Sequence, residues 1–216
     1  MTMMAAVIAI MSVVAVDAGH SPMKAGARSA SGLAEYDFNQ RQADLVAAWL
    51  TRAGARVRRI GWRTERDDLT RRARAADGAD LLVSIHHDSV QAASMPRAGS
   101  IRGFSIFVSG RNRRYDKSLQ CARTIGRALV AAGHSPNAYH ALPIAGEGHR
   151  MVDAARGVYR RDGLAITSVG AAPAVLVEVG VIANASEESW LSRPEVADAI
   201  GAVIAGGAMS CLRHHP

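Results

Sequence analysis

The chain has 216 residues, 49% of them hydrophobic and 21% charged, which excludes a disordered chain and fits one domain with a sizeable core. Its 26 Lys and Arg outnumber 19 Asp and Glu, for a formal charge of +7, and that balance favours polyanionic partners such as nucleic acid or envelope polymers. The arginine-rich stretches 52–74 and 111–127 hold few aromatic residues, so the stacking platform of a single-strand binder is missing and no nucleic-acid partner is expected.

Residues 1–16 are almost wholly apolar. They have the look of an export signal, but no basic residue precedes them and no clean cleavage site follows. The run is short for a membrane-spanning helix, so no stable membrane insertion is expected. It flows into Asp17-Ala18-Gly19-His20, so residues 12–16 read as a buried strand and residues 1–11 as an extension or degenerate signal.

An open loop at 21–32 precedes a helix at 36–53, where Phe38, Leu45, Val46, Trp49 and Leu50 recur at helical spacing and Gly54 ends the run. A short strand is expected at 56–60. Asp68 can cap a helix at 69–76. The apolar run 81–85 predicts a strand that delivers His86 at its end, and another strand follows at 104–108. A helix at 118–131 closes at Gly133. The segment 143–162 is polar, holds several Gly, and reads as a loop able to line a groove. A Val-rich strand at 173–179 leads to a last helix from Ser186 that carries Trp190, Val196 and Ile200. Cys121 reads as a small core residue; it shows no metal-ligand spacing with Cys211, and a structural disulfide between them stays open without support from the pattern.

Strands alternating with helices predict an α/β fold, a single-domain three-layer sandwich whose mostly parallel central sheet is flanked by helices. The domain spans 12–210, with a tail at 211–216. Four polar insertions interrupt its apolar runs at strand ends or before a helix, where such folds place their sites. His20 stands at a strand exit. His86 and His87 follow a buried strand and point to opposite sides of an extended chain; one of them is expected to bind, with the other behind it or facing substrate. Asp88 can orient a ligand imidazole. Glu35 sits just ahead of the first long helix. Glu178 lies inside Ala174-Val175-Leu176-Val177-Glu178-Val179-Gly180, where a carboxylate is costly unless paired or functional. Two histidines and a carboxylate can hold one zinc, and a second carboxylate can move protons, so the inventory is that of a metal-dependent hydrolase.

The ordered set of motifs resembles the zinc-dependent N-acetylmuramoyl-L-alanine amidases of the Amidase_3 family. The matching stretches are Val16-Asp17-Ala18-Gly19-His20, Gly32-Leu33-Ala34-Glu35, Ser84-Ile85-His86-His87-Asp88 and Pro173 through Asn184, and the resemblance runs from about residue 14 to about 209. It implies His20, Glu35 and His86 as zinc ligands and Glu178 as the acid/base residue. It also implies cleavage of the amide between N-acetylmuramic acid and L-alanine, peptidoglycan or muropeptides as substrate, and a periplasmic or extracellular location. His87 stands where the family has a small residue, so it joins Asp88 and Arg150 as a residue supporting the ligands or touching substrate. No wall-binding module, repeat or linker accompanies the domain, so targeting falls to the domain itself or to an activator protein. The competing readings are another zinc amidohydrolase or peptidase, although no His-Glu-x-x-His helix is present, and a basic non-catalytic module for envelope polymer, which leaves Glu178 unexplained.

Overall fold

The computed structural model describes residues 11–61 and 68–213. The proposed N-terminal extension therefore lies outside the described residues apart from Met11, as do residues 214–216 of the tail. The elements run β1 (Val13–Ala18), α1 (Glu35–Arg52), β2 (Arg56–Ile60), α2 (Leu69–Ala75), β3 (Leu81–Asp88), β4 (Ser105–Val108), α3 (Tyr115–Ala131), β5 (Arg150–Asp153), β6 (Val158–Arg160), α4 (Ala165–Ser168), β7 (Ala174–Val181), α5 (Ala185–Leu191) and α6 (Pro194–Arg213). The seven strands form one sheet in the order β2-β1-β3-β7-β4-β6-β5. Strands β2, β1, β3 and β7 are mutually parallel, while β4 runs antiparallel to β7.

The apolar strands divide by alternation. Val14, Val16, Val83, Ile85, Val175 and Val177 point to one face and pack against Phe38, Val46 and Leu50 of α1, Ile125 of α3 and Ile200 of α6. Ala15, Leu82, Ala174 and Leu176 point to the other, against Ala73 of α2 and Ile166 of α4. On this second face the same alternation continues through Asp17, Ser84, His86 and Glu178, so the face turns from apolar to polar toward the strand ends. The site is built on that polar half.

Three local expectations are revised. The last helix is two: α5 ends at Leu191 and Pro194 begins α6, because proline has no amide hydrogen to continue a helix but suits a helix start. The segment 143–162 contains β5 and β6, held by pairing to β4 and to each other; strands of three and four residues are too short to show a period. The tail boundary also shifts, since α6 continues through Cys211 to Arg213, and Cys211 is joined to Cys121 of α3 by a disulfide across 90 residues. No spacing rule signals a bridge between two cysteines that far apart. α6 is long and apolar enough to cross a membrane, but about half of its most apolar stretch is buried, and it packs against α1 and α3.

Candidate active site

Parallel pairing of β1 with β3 sets Asp17 beside Ser84 and Ala18 beside Ile85, and the Gly19 amide donates to the Ile85 carbonyl at 2.9 Å. The next residue, His20, has a φ of 65°, and this left-handed turn bends the chain away from the sheet end. A Cβ on Gly19 would stand 2.4 Å from the His86 ring, so only glycine lets the first strand exit pass so close to the second histidine.

Glu35 is the first residue of α1, rather than one preceding it, and its carboxylate lies between the two imidazoles. His20 Nε2 is 3.0 Å from Oε2 and His86 Nδ1 is 3.1 Å from Oε1. One donor atom from each of the three residues lies within 4.8 Å of the other two. Burial alone would raise the Glu35 pKa, but the two imidazoles outweigh it and hold the carboxyl well below the ordinary range. The Ala27 amide donates to Oε2 at 3.1 Å. Gly26, at φ 77°, brings the loop in so tightly that a Cβ there would meet Glu35 Oε2 at 2.4 Å. Two imidazoles and one carboxylate converging this closely fit a divalent metal that favours nitrogen and oxygen donors.

Glu178 pairs with His86 across β3 and β7, so the two side chains share a face one strand spacing apart. Its Oε2 is buried and has no hydrogen-bond partner. Burial first, then the neighbouring Asp88 and Glu35 carboxylates, push its pKa well above the usual carboxylate range. A carboxyl whose hold on its proton is strengthened in this way is suited to proton transfer.

The other expected site residues divide. His87 is buried and turned toward α1, where its Nδ1 is 2.8 Å from Asn39 Oδ1 and its ring lies against Phe38. Burial lowers its pKa to about 3. It therefore faces the protein interior rather than substrate. Asp88 orients no predicted ligand; its Oδ2 meets His140 Nε2 at 2.7 Å, and His140 Nδ1 meets Glu147 Oε2 at 2.7 Å. Arg150 is exposed at the start of β5 and lines a cavity with His149, Arg160 and Arg161.

Two residues that no motif singled out complete the support. Asn39 is fully buried and donates to Glu35 Oε1 at 3.0 Å and to the Gly19 carbonyl at 3.3 Å. It stands four residues after Glu35, and this helical spacing was the available signal. His140 lies 52 residues from its partner Asp88, a distance over which sequence carries no signal. Behind His20, Arg72 of α2 donates to Asp17 Oδ1 and to the His20 carbonyl, while Ser84 Oγ donates to Asp17 Oδ2.

The Amidase_3 family, N-acetylmuramoyl-L-alanine amidase, matches residues 14–209. The chain belongs to that family. The amidase is thus a hydrolase of the bond between N-acetylmuramic acid and L-alanine in peptidoglycan. Its fold is shared by solved amidases. Ami1 of Mycobacterium abscessus is 24% identical with a TM-score of 0.76, over 94% of this chain and 100% of that one. An N-acetylmuramoyl-L-alanine amidase of Clostridium difficile 630 is 22% identical with a TM-score of 0.75, over 95% and 99% of the two chains. CwlD of Clostridioides difficile, solved in complex with the GerS lipoprotein, is 17% identical with a TM-score of 0.70, over 94% and 100%. No curated protein matches the chain.

Proposed function

We propose that the amidase works with one zinc ion held by His20, Glu35 and His86, and that Glu178 is its acid/base residue. The observation that carries this reading is the buried, unpartnered Oε2 of Glu178 on the same face as His86 and in register with it. Zinc held by this donor set supplies a Lewis acid for the scissile carbonyl and acidifies water. Glu35 and the two imidazoles fix the ion's position, and Asn39 with the Ala27 amide fixes Glu35. Glu178 takes a proton from the attacking water at its free oxygen and delivers it to the alanine nitrogen as the amide breaks. The raised pKa of Glu178 suits both halves of that exchange.

Peptidoglycan lies outside the cytoplasm, so the enzyme is placed in the periplasm or beyond the cell. The Cys121–Cys211 disulfide supports that placement, since such bridges persist in oxidising compartments. An activator protein is a further expectation, supported by the structural likeness to an amidase solved with a lipoprotein bound.

Purified protein is to be assayed for zinc and incubated, with and without chelator, with intact peptidoglycan and a soluble muropeptide. The expected result is one zinc per chain and free peptides beginning at L-alanine, both lost on chelation. Peptides released at full rate by the metal-free protein would overturn the zinc assignment. Removal of an acetyl group with the peptide still attached would mean a deacetylase instead.

A further inference from the structure

A cavity of about 420 Å³ is bounded by His149, Arg150, Arg160 and Arg161. Its connection to Glu178 runs through Phe107. That residue pairs with Leu176 on β7, two positions before Glu178 and on the same face, so the backbones of Phe107 and Glu178 lie about 7–8 Å apart. Arg161 Cζ is 5.9 Å from the centre of the Phe107 ring, and the His149 ring is 6.3 Å from it. The Arg161 charge reaches Glu178 and acts against the other causes that raise its pKa.

The cationic groups of this cavity are unequally committed. Arg160 is spent on Asp162, its Nη2 lying 2.7 Å from Oδ2, and Asp162 also accepts from the Gly110 amide at 2.7 Å. The guanidinium groups of Arg161 and Arg150 have no carboxylate or hydrogen-bond partner among the described residues. His149 Nε2 is buried and without a hydrogen bond; it stands 3.8 Å from Glu147 Oε2, which meets His140 Nδ1 at 2.7 Å. A forked guanidinium supported by a second cation and an unpartnered ring nitrogen is a recognition site for a planar, two-oxygen anion.

We propose that this cavity is the subsite for a free carboxylate of the stem peptide, with Arg161 as its forked partner and His149 and Arg150 beside it. The inference rests on the amidase reading above and extends it to substrate selection. The lactyl carboxyl of the sugar is consumed in the scissile amide, so a free carboxylate near that bond belongs to the peptide. Arg161 and His149 border Phe107, the diagonal strand neighbour of Glu178, which puts the recognised group close behind the L-alanine.

The test is equilibrium binding of a stem tripeptide beginning at L-alanine, and of the same peptide with its carboxylates amidated, to wild type, Arg161→Ala and Arg161→Lys. Turnover of the matching muropeptides is measured in parallel. Wild type is expected to bind the carboxylate form about tenfold or more tightly than the amide. Arg161→Ala should bind both forms equally, and Arg161→Lys should keep part of the preference. In turnover the preference for the carboxylate form, read as the ratio of kcat/KM between the two muropeptides, should be lost in Arg161→Ala, while any effect of the missing charge on Glu178 should fall on both substrates alike. Equal binding of the two peptides by wild type, or an unchanged preference in Arg161→Ala, would overturn the subsite. Absence of peptide release by wild type would instead count against the amidase reading, while the binding ratios still decide the subsite.

Discussion

In the proposed mechanism Glu178 moves one proton, and glutamine keeps the shape of the side chain while removing the base. Glu178→Gln is expected to bind metal as wild type does and to lose about 10²–10⁴-fold in kcat; metal analysis beside turnover checks both halves, and retained hydrolysis would remove the role assigned here. Arg72 acts at a greater distance. Its guanidinium is buried with Asp17, donates to it at 2.9 Å and 2.7 Å, and also holds the His20 carbonyl. Removing one partner of such a pair leaves a buried charge uncompensated. Arg72→Met should therefore destabilise the fold by about 3–5 kcal/mol in chemical denaturation and weaken metal binding as the His20 turn loosens. A variant with wild-type stability would show that Asp17 finds another donor.

At the scale of elements, α6 depends on α3 through a covalent tie. The Cys121–Cys211 bridge closes a 90-residue separation, and in the chain-entropy view a loop of that length contributes about 4–5 kcal/mol. Replacing both cysteines by serine is expected to lower Tm clearly in a thermal melt without shifting the proposed metal site, which is built from the ends of β1 and β3 and the start of α1. An unchanged Tm would mean that helix packing alone sets the stability. Element types were largely legible because each rests on a local signal: Asp68 does cap α2, its Oδ1 accepting the Arg71 amide, and the expected strands at 12–16, 81–85 and 173–179 are found as β1, β3 and β7, the first and last starting one residue later. Their ends were less legible. β1 and β3 extend two and three residues past the apolar run, because pairing with neighbours carries the strands through Asp17 and His86. Polar residues there break the hydrophobic pattern but not the hydrogen-bond ladder.

For the molecule as a whole, the sequence order of the motifs predicted the layers of the sandwich, but not how one sheet face divides. That division requires knowing that β1, β3 and β7 are adjacent and in register, which places Asp17, Ser84, His86 and Glu178 in one patch. The strand pairing of residues 150–160 and the disulfide escaped for the same reason, since both join positions that are neighbours only in space. A last consequence concerns His20. Among the described residues it is the only one other than glycine with a positive φ, at 65°, a conformation that works against an L side chain by roughly 1–2 kcal/mol. His20→Gly should therefore unfold at a higher temperature than His20→Ala, and both should lose the metal. Laboratory selection for heat tolerance alone would favour glycine at this position and, if His20 is the ligand proposed above, drift toward a robust but inert protein, so durability and the proposed metal role pull this residue in opposite directions.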